Sequence, residues 1–180
     1  MENRKIVYLS PSLQEWNVGI GDYGTEEERM NQIADVVERI LKMKGYDVRR
    51  NNPENTLAKT VEESNMIGPA VHVALHSNAS GPSGKGKGPE IYVNRPNTSA
   101  DQLAHDIYKE IEKIYPNSEN GRGVLYTKSL YEIIRTLSPA VLLEVAFHDD
   151  EQDANWIINN VEQIGKAIAT GIDNYFTQKN

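Results

Sequence analysis

The stretch Pro139–Phe147, PAVLLEVAF, decides how this chain is read. Ala140, Val141, Leu142 and Leu143 run on through Val145, Ala146 and Phe147 with no polar alternation. Such a continuous apolar run predicts a strand buried on both faces of a sheet. Glu144 interrupts it. An ionised carboxylate in those surroundings is costly unless it is paired, bound to a metal or aimed into a cleft. Glu144 therefore has to be explained by what the rest of the chain brings to it.

Working outward, Lys5–Ser10 (KIVYLS) reads as a first strand, and Ser12–Gly24, rich in Gly, Asn and Asp, as a loop. A helix follows with clear punctuation: Thr25 as N-cap, Glu28 three residues on as in a capping box, and apolar positions Met30, Ile33, Ala34, Val37, Ile40 and Leu41 at helical spacing. Gly45 supplies its stop. Strands are expected at Tyr46–Arg50, Val71–Leu75 and Glu90–Val93, with a short one at Gly121–Leu125. Helices are expected at Leu57–Met66, Ser99–Tyr115 and Leu130–Leu137, and over Asp153–Phe176 as one long helix or two joined near Asn159. Strands alternating with helices predict an α/β fold: a twisted, mostly parallel, about six-stranded sheet with helices on both faces. With no repeat and no linker, residues 1–180 read as a single domain.

The bulk properties narrow the partners. A net charge of −7 argues against nucleic acid, which needs clustered Lys and Arg. No apolar run has membrane-spanning length, so no membrane insertion is expected, and MENRKIVYLS lacks the apolar core of a secretory signal. Cys is absent, which excludes disulfides and thiolate metal sites.

In open α/β sheets the functional crevice lies beyond the carboxyl ends of the strands. Three such ends carry ligand-capable residues: the loop after Ser10, His76 after VHVAL, and Glu144. Glu26, Glu27 and Glu28 begin the helix that follows the first of them. Converging His and Glu side chains suit a zinc hydrolase, in which Zn²⁺ takes imidazole and carboxylate ligands and keeps a position for water. On the helical wheel Glu28 points away from the apolar stripe, whereas Glu26 and Glu27 could both reach inward, and the wheel does not choose between them. A first-turn Glu is otherwise explained by the helix dipole. His72 shares the strand face of His76 but lies a strand-length earlier and reads as a core histidine. His105 reads as structural or exposed, and His148 stays a candidate because it directly follows the Glu144 strand. The GIG of Gly19–Gly21 is a weak phosphate-loop signal, since no Lys-Ser/Thr pair follows.

Taken together, these segments resemble the zinc-dependent N-acetylmuramoyl-L-alanine amidases of the amidase-3 type, in particular clostridial phage endolysin and autolysin catalytic domains. The resemblance is carried in order by Glu27 four residues before Asn31 (EERMN), by ALHSNAS with His76, by a Gly-rich loop before Glu90-Ile-Tyr, by Arg122-Gly-Val-Leu-Tyr leading through Leu130-Tyr131, and by PAVLLEVAFHDDEQD. It implies a peptidoglycan hydrolase that cleaves the amide between N-acetylmuramic acid and L-alanine of the stem peptide. By the family register Glu27 and His76 are the expected zinc ligands and Glu144 the catalytic carboxylate. One departure stands out. The family's first ligand is a His just after the first strand, and here the loop reads SPSLQEWN, with Trp16 at its place. Glu15, Gln14 and His148 are the candidate substitutes, and the third ligand is left unassigned. Asn78, Lys128 and Arg135 are candidate substrate contacts. The expected setting is the cell wall, reached by host lysis machinery or as an excised domain, with any wall-binding module separate or missing. Two other readings follow from the same residues: a non-catalytic wall-binding module whose metal site has decayed at Trp16, and a zinc peptidase acting within the stem peptide.

Overall fold

The computed structural model describes residues 4–178. Six strands form one sheet in the order β2-β1-β3-β6-β4-β5, with β1 at Ile6–Pro11, β2 at Asp47–Arg50, β3 at Val71–Asn78, β4 at Glu90–Val93, β5 at Gly123–Tyr126 and β6 at Ala140–Phe147. Every pairing is parallel except β4 against β6. The PAVLLEVAF strand is thus central, flanked by β3 and β4, as its unbroken apolar run requires.

The two faces differ. One carries the main core, where Val73, Leu75, Ile91, Val141, Leu143 and Val145 meet α1 (Glu26–Met43), α3 (Ser99–Glu112), α5 (Glu151–Asn159) and α6 (Val161–Thr177). The other holds a small cluster of Ala74, Ala140, Leu142 and Ile133, covered by α2 (Leu57–Ile67) and the five-residue α4 (Tyr131–Arg135). Strand alternation puts His72, Ala74 and His76 of β3 on this thinner face, in register with Ala140, Leu142 and Glu144 of β6. Glu90 of β4 stands opposite Glu144 from the other side. The small side chains of Ala74 and Ala140 leave the face shallow, and the polar residues collect at its carboxyl end. Among the described residues no helix is long and apolar enough to cross a membrane.

Most expected elements are present, with informative shifts. β3 runs three residues past Leu75, because His76 and Asn78 keep a ladder with β6 across a register irregularity. That tertiary pairing holds residues whose polar side chains read as loop. α3 stops at Glu112, short of the expected Tyr115, and Lys113 caps it. The terminal segment is two helices, broken at Asn160. Thr25 caps α1 by accepting from the Glu28 amide at 3.1 Å. The first three residues of the N-terminal segment read above lie outside the described residues.

The α3–α6 contact depends on Gly171. A Cβ there would stand 2.4 Å from the Ile107 Cα and 2.7 Å from the Asp106 carbonyl oxygen, both backbone atoms. Replacing a helical Gly by Ala ordinarily stabilises by about 0.5–1 kcal/mol. Here overpacking reverses the sign: Gly171→Ala is expected to lose about 1–3 kcal/mol in urea unfolding. An unchanged or higher midpoint would show that the two helices can separate without cost.

Candidate active site

His76 is the centre of the polar cluster. Its Nδ1 donates to Glu26 Oε1 at 2.8 Å, and its Nε2 lies 3.8 Å from Glu132 Oε2. Glu132 is buried on α4 and bonds through Oε1 to His72 Nε2 at 2.8 Å, while His72 Nδ1 is joined to Ser64 Oγ of α2 at 2.8 Å. His72 is therefore a core histidine with both nitrogens engaged. His76 keeps 15 % of its side-chain surface, so it is the member of the cluster that reaches the solvent side. Burial by itself would lower its pKa. The carboxylates of Glu132 and Glu26, with the field of Glu144, overcome that and raise it from 6.5 to about 10. Burial likewise opposes ionisation of Glu26 and Glu132, and the histidines beside them win, holding both carboxyls below the ordinary range.

Glu144 lies beside His76 across the β3–β6 ladder. Burial pushes its carboxyl up to about 7; His76 pulls it down, and Glu26 and Glu90 push it further up. Its Oε2 is buried and has no hydrogen-bond partner among the described residues. A buried carboxylate oxygen left without a partner is unusual, and such groups concentrate at functional sites. Glu90 shares part of this character: Asn78 and the Tyr92 hydroxyl donate to Oε1 at 2.6 and 2.8 Å, while its buried Oε2 also has no hydrogen-bond partner among the described residues. It is ion-paired with Arg122, however, whose Nε lies 2.9 Å away, and Glu144 has no such cation among the described residues.

The loop between β1 and α1 is held by a chain of hydrogen bonds. The Asn17 amide donates to Glu26 Oε2 at 2.6 Å, and Asn17 Oδ1 meets His148 Nε2 at 3.1 Å. His148 Nδ1 joins Ser77 Oγ at 2.9 Å, and Ser77 joins the Tyr23 hydroxyl at 2.7 Å. His148 is 1 % exposed and has both ring nitrogens in use. It buttresses the loop and is not available as the substitute ligand the sequence allowed. Arg29 anchors the same loop through the backbone carbonyls of Asp22 and Tyr23.

Two clefts flank the His76–Glu144 pair. One, of about 620 Å³, is lined by Trp16, Gln14, Glu15, Glu27, His76 and Glu132 among others. The second, of about 570 Å³, is lined by Asn78, Glu90, Arg122 and the Gly81–Gly88 loop with its Lys85 and Lys87. The structure thus brings Glu26 onto the His76 ring and sets Glu27 in the wall of the same cleft. Of the two carboxylates that the helical wheel left open, Glu26 is the innermost and meets His76, while Glu27 faces the cleft. Of the three expected substrate contacts, Asn78 lines the second cleft, Arg135 sits with Tyr131 and Met66 in a separate shallow hollow, and Lys128 is exposed and lines neither cleft.

A family model described as N-acetylmuramoyl-L-alanine amidase matches residues 7–174. The chain belongs to that amidase family. Solved structures agree on the fold. The catalytic domain of CwlV, an N-acetylmuramoyl-L-alanine amidase from Bacillus (Paenibacillus) polymyxa var. colistinus, superposes with a TM-score of 0.84 at 25% identity, covering 96% of this chain and 98% of that one. AmiC2 of Nostoc punctiforme, another such amidase, gives 0.84 at 21% identity over 96% and 97%. The catalytic domain of the CD27L endolysin, which targets Clostridia difficile, gives 0.77 at 23% over 96% and 98%. No curated protein sequence matches the chain significantly.

Whether this amidase's own residues suit a zinc ion can be judged from its donors. Charge favours a dication: Glu26, Glu132 and Glu144 converge on one imidazole, and without a cation the cluster keeps protons on His76 and, below neutrality, on Glu144. The donor types, imidazole and carboxylate, are those zinc accepts. The set is nevertheless one short. Among the described residues no three His, Asp or Glu side chains are grouped to hold a metal ion, and Trp16 brings no donor where the family's first ligand is expected.

The two main shifts have opposite acid–base signatures in the metal-free protein. Glu144 has a folded pKa above its ordinary 4.5, so its burial costs stability as pH rises from about 4.5 to about 7 and the loss then stays constant. His76 has a folded pKa above 6.5, so its contribution is complete below 6.5 and is lost as pH rises through about 10. Glu144→Gln removes the first dependence and, by withdrawing one of the charges that raise His76, moves the alkaline end of the second to lower pH. Its stability relative to the parent is expected to rise between pH 5 and pH 8 by on the order of 2–3 kcal/mol. Parallel urea-stability profiles for the two proteins across that range would contradict the raised Glu144 pKa.

Proposed function

We propose that this amidase hydrolyses peptidoglycan at the amide joining the lactyl group of N-acetylmuramic acid to L-alanine, acting at the cell wall, with Glu144 as its catalytic carboxylate. The observation that carries this is Glu144 itself. It is a carboxyl group pushed up to about 7, with an unpartnered buried oxygen, and its two ladder neighbours, the partly open His76 and Glu90, each line one of the two clefts. A group with that pKa is suited to take a proton from attacking water and return it to the leaving amine near neutral pH.

Glu27 and His76 are the residues we assign to zinc, on the family register, with Glu26 holding His76 through its Nδ1. A carboxylate on the far ring nitrogen is the usual way a metal-binding His is oriented. Zinc, when bound, would lower the pKa of a water molecule and polarise the amide carbonyl. Glu132 stands 3.8 Å from His76 Nε2, the ring atom left for zinc, and is itself tied to His72, so its charge stays beside the ligand edge. The Glu15 and Gln14 side chains line the same cleft and are the remaining candidates for a third ligand.

Trp16 favours a second reading, a wall-binding module that no longer hydrolyses. Digestion of purified walls distinguishes the readings: new N-terminal L-alanine amines are expected, and Glu144→Ala is expected to reduce their release by at least about 10³-fold. Wall binding with no new amine would favour the module, and a new amine on any other residue would indicate a peptidase. Zinc titration of Trp16→His provides a separate check. Restoring an imidazole at that place is expected to tighten zinc binding at least about tenfold, a gain of about 1.4 kcal/mol. No gain would remove the assignment of that place as a ligand position.

A further inference from the structure

Trp16 does more than leave a ligand place empty. Its side chain is 73% exposed, and among the described residues no ring contact or hydrogen bond holds it. A single exposed aromatic ring needs no explanation, but one that joins other apolar groups in the wall of a cleft marks a surface for ligand contact. It stands on the wall of the cleft that contains His76, with Pro53 and the exposed Leu57 lining the same space. That apolar wall is combined with the carboxylates Glu15, Glu27, Glu54 and Glu132, and no Lys or Arg lines the cleft. Glu27 is the one assigned to zinc and Glu132 is paired with histidine, which leaves the exposed Glu15 and Glu54 without a cationic partner among the described residues.

The cleft on the other side of Glu144 has a different character. Lys85, Lys87 and Arg122 line it. Lys87 is paired with Asp150 at 3.0 Å and Arg122 with Glu90 at 2.9 Å, while Asp149 is taken up by the amides of Ser80 and Gly81. Lys85 is exposed on the Gly-rich loop and has no such partner among the described residues.

The substrate in the reading above is equally asymmetric about its scissile amide. On one side is an uncharged N-acetylated sugar with apolar C–H faces and many hydroxyl donors. On the other is a peptide bearing carboxylates. A cleft of carboxylates repels the peptide and accepts hydroxyl donors, and an open indole offers its face to a sugar ring. We infer that Trp16 is the stacking platform for the N-acetylated sugar on the glycan side of the scissile amide, with the stem peptide directed toward Lys85. This rests on the amidase reading and sets the direction in which the substrate lies. It also gives the exchange at this position a consequence: the indole that occupies the ligand's place contributes contact with the glycan.

Tryptophan fluorescence tests it directly, because the chain has only two tryptophans and Trp156 is buried edge-on against Tyr115. The whole chain carrying Glu144→Gln is titrated with a neutral N-acetylglucosaminyl–N-acetylmuramoyl methylamide and, separately, with the stem peptide L-Ala-γ-D-Glu-L-Lys. The glycan is expected to shift the emission to shorter wavelength. Adding Trp16→Ala is expected to weaken glycan binding at least about tenfold, measured by calorimetry, and peptide binding less than about twofold, with Trp16→Phe between the parent and the Ala variant. Equal glycan affinity with and without Trp16, no glycan binding to the parent, or an emission shift driven by the peptide instead would each overturn the inference. The amidase reading fails on a different result: walls that release no L-alanine amine. Either idea can therefore fall while the other stands.

Discussion

The structure depends on one arrangement of buried charge: an imidazolium, His76, held between the carboxylates of Glu26 and Glu132 with Glu144 alongside. Burying any of these groups alone would cost several kcal/mol. Together they offset most of that cost for Glu26 and Glu132, and both carboxyls stay ionised. Glu144 receives no such share. It faces His76 but also feels Glu26 and Glu90, and its carboxyl is pushed up to about 7. The same cluster therefore makes two acids fixed and one acid responsive near neutral pH, which is the division of labour a hydrolytic site needs.

The fold supports this by being uneven. α1, α3, α5 and α6 bury one face of the sheet under a large apolar core, and the other face is left to α2 and a helix of five residues. Ala74 and Ala140 keep that second face shallow, so α4 can bring Glu132 down onto His72 and His76. The loop after β1 closes the remaining side, its Asn17 fixed to His148 just past the end of β6 and through it to Ser77 of β3. A thick core supplies rigidity and a thin layer supplies access.

Much of this was legible in the residues. The run around Glu144 announced a central strand, and the helical spacing after Thr25 announced α1, because both periods reflect burial that the sequence must encode. His76 and Glu144 stood out as polar groups at strand ends. Glu132 did not stand out, since YEIIR reads only as a short amphipathic turn. The signal that could have found it was His72: a histidine in the middle of a buried strand needs partners for both ring nitrogens, and one of them had to be acidic or hydroxylic. His148 was misleading for the same reason. A histidine next to the site suggests a ligand until its two hydrogen bonds to Ser77 and Asn17 are seen.

What the sequence by itself determined is the order of elements, the parallel α/β class, the placing of Glu144 and His76 at one rim, and membership of a family recognisable from five short segments. These depend on local periodicity and on motifs that survive in one dimension. Only the tertiary structure decided which of Glu26 and Glu27 meets His76, that β3 continues through His76 to Asn78, and that Trp16 stands open beside the site. Those outcomes turn on one residue of helix rotation, one irregularity in a ladder and the packing of a loop from a distant strand, and none of them leaves a periodic trace in the chain.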